Sequence, residues 1–182
     1  ELVIIHANEV DRTTNGKGIV KEMPLRQIRK LDAGKGERVP TLQEVFATTR
    51  NAIGAMLEVK AVNIEKLLVD LIQREHMLDQ VVVTSFMSDV VKKVKELDPR
   101  IPTGQIFSWK ILNIAKKALE LRVQMMVPYY ELVTKEMVDE LHKNSILVYP
   151  WTVDDRGIAE RLIELGVDGI ITNKPDLLSK RN

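Results

Sequence analysis

Two sets of residues in this 182-residue sequence could do chemistry. The first is Leu57-Glu58-Val59-Lys60. Alternate residues of a strand point to the same face, so Glu58 and Lys60 would share one face and Leu57 and Val59 the other. A carboxylate there suits a hard cation such as Mg²⁺ or Ca²⁺. A lysine beside it suits phosphate charge. The pair also reads as a plain ion pair at a strand mouth. The second is His6, at the end of an apolar run. It is either a general acid or base, or a strand-end histidine bonded to a loop carbonyl. Only five residues precede it and the first is not methionine, so the chain is expected to begin inside a larger unit.

Other residues would frame such a site. Arg12-Thr13-Thr14-Asn15-Gly16-Lys17-Gly18 reads either as an anion-binding nest or as a tight turn. Ser85-Phe86 and Trp151 follow apolar runs and read as pocket lining. Asp154 and Asp155 read as caps of a following helix. His76 and His142 fall near helix ends, where a cation complements the helix dipole.

These residues need elements to position them. Short apolar runs at 2–5, 55–59, 81–84, 104–107, 123–127, 146–149 and 169–172 have the length and β-branched content of strands, most of them buried on both faces. Helical spacing covers 62–75, 87–97, 110–119, 134–142 and 154–165. Thr41 with Glu44 forms a capping-box pattern and Thr134 is a second cap. From residue 41 onward helix and strand alternate, which is the pattern of parallel βα units. Six such strands follow residue 41. Residues 1–40 instead hold one strand and a glycine- and proline-punctuated excursion. The expectation is one domain over 1–182, with an insertion segment at 1–40 and βα repeats at 41–182. An eight-stranded barrel and an open sheet both fit that order.

Composition narrows the function. A net charge of +1 with 4% aromatic residues argues against nucleic acid as a partner. The absence of cysteine excludes disulfides and thiolate metal sites. No apolar run is long enough to span a bilayer. No Gly-x-Gly-x-x-Gly follows a strand, so a dinucleotide fold has no support. The compartment is left open, with the cytoplasm favoured.

The order of the motifs is more specific than any one of them. His6, the Arg12–Gly18 loop, Leu31-Asp32-Ala33-Gly34, Val39-Pro40-Thr41-Leu42-Gln43-Glu44-Val45, Leu57-Glu58-Val59-Lys60, Thr84-Ser85-Phe86, Trp151-Thr152-Val153-Asp154-Asp155 and Gly166-Val167-Asp168-Gly169-Ile170-Ile171-Thr172-Asn173-Lys174-Pro175-Asp176 together resemble the glycerophosphodiester phosphodiesterase family. The resemblance implies a (β/α)₈ TIM barrel with a small insertion after its second strand. Of that barrel this chain would hold six of eight βα strands plus the insertion. It also implies hydrolysis of glycerophosphodiesters to glycerol 3-phosphate and an alcohol, with a divalent cation, Mg²⁺ or Ca²⁺, and two histidines. Lysophospholipids are further possible substrates. By position, His6 resembles the second catalytic histidine, Glu58 a metal carboxylate and Lys60 the phosphate-contacting lysine. Trp151 resembles the tryptophan that lines the pocket, with Phe86 and Arg12 as further substrate contacts.

The departures from the family pattern are specific. The family's first histidine and its Glu-x-Asp pair have no counterpart in residues 1–5. Ala7 stands where an aspartate commonly follows the second histidine. Asp154 and Asn173 replace the more usual asparagine and aspartate. The resemblance therefore implies a phosphodiesterase chain that is inactive by itself and prone to self-association through open strand edges. The alternative is a non-catalytic relative that binds a phosphate ligand or a partner. Some other phosphate-binding barrel, such as an isomerase, ranks last, because Pro150-Trp151-Thr152 lacks the glycines of a phosphate loop.

Overall fold

The computed structural model describes residues 1–176 and 178; the end of the 41–182 repeat segment lies outside the described residues. The chain divides into two compact units, Glu1–Val82 and Val83–Asn182.

The first unit does not open on a ladder strand, contrary to the expectation for 2–5. Val3 makes one isolated antiparallel bridge with Thr41, through bonds from the Ile4 amide to the Pro40 carbonyl (2.9 Å) and the Leu42 amide to the Leu2 carbonyl (3.0 Å). Pairing stops there because its partner turns into a helix at once. After 3₁₀ turns at Val10–Arg12 and Val20–Glu22 and the short helix α1 (Leu25–Ile28), helix α2 runs over Leu42–Thr49. It begins with the expected capping box: the Thr41 hydroxyl accepts from the Glu44 amide, and Glu44 accepts from the Thr41 amide. Strand β1 (Ala55–Glu58) and helix α3 (Glu65–Arg74) follow. Helix α3 starts three residues later than its periodicity implies, after Asn63 in a left-handed conformation. Val10, Phe46 and Ile72 are fully buried in this unit. β1 is not buried on both faces; it alternates half-buried and exposed residues.

The second unit is built of βα repeats. Strand β2 (Val81–Ser85) begins at the end of the first unit and runs into the second. Then come α4 (Ser88–Leu97), β3 (Thr103–Phe107), α5 (Ile114–Leu121), β4 (Met125–Pro128), α6 (Lys135–His142), β5 (Leu147–Val148) and α7 (Arg156–Glu164). Strands β2, β3, β4 and β5 are parallel neighbours in chain order. The register aligns Ser85, Gln105, Met126 and Val148 in one row. Every residue of β3 and β4 is buried, as a parallel sheet covered on both faces requires. On the helix-facing side Phe107, Met126 and Val148 pack with Ala118, Leu141 and Leu162. On the other side Gly104 makes room for its neighbours: a Cβ there would lie 2.5 Å from Met125 Cγ and 3.1 Å from Thr84 Cγ2.

Two sequence expectations shift in this unit. Residues 169–172 form no ladder strand, so five strands rather than seven are present among the described residues. The segment is tied by two backbone bonds, Ile171 amide to Pro150 carbonyl and Val153 amide to Ile171 carbonyl, each 2.9 Å. Pro150 has no N–H to give, so one bond of a regular ladder is missing at that residue. Helix α5 begins at Ile114 rather than at residue 110, because Asn113 adopts a left-handed conformation and the four residues before Ile114 stay in a loop.

Candidate active site

Glu58 is the last residue of β1, and Lys60 follows two residues later, where the chain leaves the strand. The alternation holds: Glu58 is exposed, Val59 buried and Lys60 half-buried. Lys60 Nζ lies 3.2 Å from Glu58 Oε2 and donates to the backbone carbonyl of His6 at 2.8 Å. One ammonium therefore ties the β1 end to the segment that carries the histidine. His6, Glu58 and Lys60 all line a cleft of about 1250 Å³ within the first unit, with Ile5, Leu57 and Ile64 among its apolar walls. The His6 side chain is exposed at this wall. Glu58 and Lys60 thus form the ion pair, at the end of β1 and in a cleft that His6 also lines.

Arg12 is not brought to this group. It is exposed at the end of a 3₁₀ turn and does not line the cleft. Its loop is a closed turn rather than an anion nest. The Gly16 amide donates to Thr14 Oγ1 (3.0 Å), the Gly18 amide to Asp11 Oδ1 (2.9 Å) and the Asn15 amide to the Asp32 carbonyl (3.0 Å). Those donors are spent inside the loop. At Gly16 a Cβ would lie 2.6 Å from Leu31 Cδ2, so a larger residue there would push the Leu31 side chain aside.

Within the second unit Phe86 and Trp151 do meet. Their rings stand edge to face at 5.4 Å, and Trp151 stands likewise against Tyr129 at 5.6 Å. Trp151 is fixed by its indole N–H, which donates to the Val127 carbonyl at 3.0 Å. Sequence reasoning missed Tyr129 and Tyr130, although they follow an apolar run just as Phe86 and Trp151 do. The Tyr130 hydroxyl is pushed up to about 12, chiefly by its hydrogen bond with Tyr129, so it stays protonated at neutral pH.

The histidine and aspartate motifs of this unit do structural work. His142, in the last turn of α6, has a specific partner beyond the helix dipole: its Nε2 lies 2.9 Å from Asp168 Oδ2. The same oxygen accepts from the Val148 amide at 2.8 Å. Asp155 caps α7 by accepting from the Ile158 amide. Asp154 does not cap it. Its carboxylate instead accepts from the Asn173 amide (2.8 Å), Asn173 Nδ2 (2.8 Å) and the Thr172 hydroxyl (3.0 Å). Those bonds, the Asn173 side chain first, hold the Asp154 carboxyl below its usual range.

The family model for the glycerophosphoryl diester phosphodiesterase family matches residues 1–177. The chain belongs to the glycerophosphodiester phosphodiesterase family. It is 36% identical to the glycerophosphodiester phosphodiesterase of Caldanaerobacter subterraneus, over 97% of this chain and 78% of that protein. It is 32% identical to one from Bacillus subtilis, over 99% of this chain and 71% of that protein. Among solved structures it resembles an Oleispira antarctica phosphodiesterase in complex with the product sn-glycerol-3-phosphate, with a TM-score of 0.85, 22% identity and coverage of 95% of this chain and 76% of that one. A phosphodiesterase from Agrobacterium tumefaciens gives 0.82 at 23% identity, covering 96% and 79%. The fold is therefore the α/β TIM barrel of this family, represented here by part of its strands. The family is enzymatic and takes small-molecule glycerophosphodiesters.

The donor set present does not fit a divalent cation by itself. Among the described residues no three of His, Cys, Asp and Glu stand close enough to hold one. Of the carboxylates lining the cleft, Glu1, Glu9 and Glu58, the last is already paired with Lys60. A hard cation takes about six oxygen ligands, several of them carboxylate.

Proposed function

We propose that the first-unit cleft is part of a glycerophosphodiester hydrolysis site, with Lys60 at a phosphoryl oxygen and His6 as a proton carrier. One observation supports this: Lys60 touches both the Glu58 carboxylate and the His6 carbonyl, so histidine, lysine and carboxylate share one wall. Hydrolysis of a phosphodiester needs a proton taken from the nucleophile and a proton given to the leaving oxygen. His6 can perform one of these. A second histidine is not supplied: His76 does not line the cleft, and His142 is bound to Asp168 in the second unit. The 182-residue chain alone is therefore a binding half of the site and does not turn over.

Calorimetric titration of sn-glycerol 3-phosphate into the 182-residue chain tests this reading. We expect weak binding that Lys60→Ala reduces about tenfold, with no release of choline from glycerophosphocholine in Mg²⁺ or Ca²⁺. Binding that ignores both Lys60→Ala and His6→Ala would overturn the site, and turnover by a mass-verified 182-residue chain would overturn the inactivity.

A second reading is favoured by Ala7, which supplies no carboxylate beside His6. It makes the protein a non-catalytic phosphate binder. Turnover by the full gene product, lost in Glu58→Gln, would exclude it.

A further inference from the structure

We propose that the loop between β3 and α5 is a lipid-surface anchor, and that it docks on membranes carrying anionic headgroups. The loop reads Ser108-Trp109-Lys110-Ile111-Leu112-Asn113. Trp109 is 54% exposed and Leu112 is 80% exposed, the most exposed large apolar side chain among the described residues. Scattered exposed apolar residues are ordinary, but two large ones on one short loop with a lysine between them are not. The loop is held from beneath rather than collapsed. Ile111 packs against the buried core, and Ile114 and Ala115 at the start of α5 are buried. The chain thus anchors the flanks of the loop and leaves Trp109 and Leu112 in solvent.

Charge identifies the occupant. The loop from Ser108 to Asn113 carries Lys110, which is exposed, and no acidic residue. At the start of α5, Lys116 is paired with Glu120 at 3.9 Å and the Glu140 carboxylate accepts from the Ala115 amide at 3.3 Å, so Lys110 is the cation that the loop itself presents. A tryptophan is suited to the headgroup level, where its ring is buried and its N–H stays wet. A leucine beside it gains by entering the acyl boundary, and a lysine between them gains by lying near anionic phosphates. A protein partner would call for a larger apolar patch than two side chains. The inference does not rest on the proposed hydrolysis, since its readout is partition onto lipid.

The experiment is cosedimentation of the 182-residue chain with vesicles of equimolar phosphatidylglycerol and phosphatidylcholine, with circular dichroism to show that each variant is folded. We expect binding that weakens as salt rises. The double variant Trp109→Ala/Leu112→Ala should bind about tenfold or more weakly, and Lys110→Gln about fivefold more weakly. Trp109→Phe should retain binding but lose the fluorescence quenching that brominated phosphatidylglycerol causes in the unaltered chain. No cosedimentation of the unaltered chain, equal binding to pure phosphatidylcholine vesicles, or unchanged binding of the folded double variant would each overturn the proposal.

Discussion

Asp154 and Asn173 are joined side chain to side chain, with Asn173 Nδ2 donating to Asp154 Oδ2 at 2.8 Å. One donor and one acceptor thus bridge the residues before α7 and the segment at 169–173. Asp154→Asn alone puts an amide where an ionised acceptor met three donors, and should lower the melting temperature. Combining it with Asn173→Asp should recover a substantial part of that loss; a double variant no more stable than the single one would show that the bridge is not reciprocal. Asp168 is a similar case. It reads as part of a family motif, yet its carboxylate receives the Val148 amide and faces the His142 ring.

At the scale of elements, the starts of α2, α6 and α7 are fixed by side chains that the sequence displays. Thr41 and Thr134 each accept from the amide three residues on, and the Thr41–Glu44 box is complete. Thr41→Ala should cost about 1 kcal/mol in chemical denaturation, since it removes one half of the box. Two of these starts also set an acid limit. Glu44 lies below its usual value of 4.5, first through the Thr41 amide and also through Arg29. Glu136, in the first turn of α6, is lowered first through its own amide and then through the Thr134 hydroxyl. A carboxylate depressed in the folded state stabilises it above the unfolded value and loses that stabilisation as pH falls through the folded one. Stability should therefore decline below about pH 4.5, and Glu44→Gln should flatten that decline. An acid limb identical in Glu44→Gln and the unaltered chain would contradict this. Helices α3 and α5 are elements whose starts the sequence hid, each beginning after a left-handed asparagine. Before α5 apolar residues continue backward through Ile111 and Trp109, and only the left-handed Asn113 breaks the helix there.

Over the whole molecule, the apolar residues left outside carry a consequence. In the first unit Ile53, Met56, Val62 and Leu67 are 65%, 40%, 59% and 48% exposed, and Met56 belongs to β1 itself. Exposed apolar side chains along a strand invite pairing with another chain. We expect sedimentation equilibrium of the 182-residue chain to show association that rises with concentration and falls when Met56 is replaced by lysine; a monomer at all concentrations would refute this. Among the described residues no helix is long and apolar enough to cross a membrane. The sequence alone determined the family, the βα repeat, both threonine caps, and the pairing of Glu58 with Lys60 at the end of a strand, because each is written in local spacing. Tertiary structure alone decided that Lys60 reaches back 54 residues to the His6 carbonyl, that Arg12 stays away from that wall, and that residues 2–5 and 169–172 fail to become ladder strands. Those outcomes depend on which distant backbone supplies an acceptor or lacks a donor, and no local pattern of residues records that.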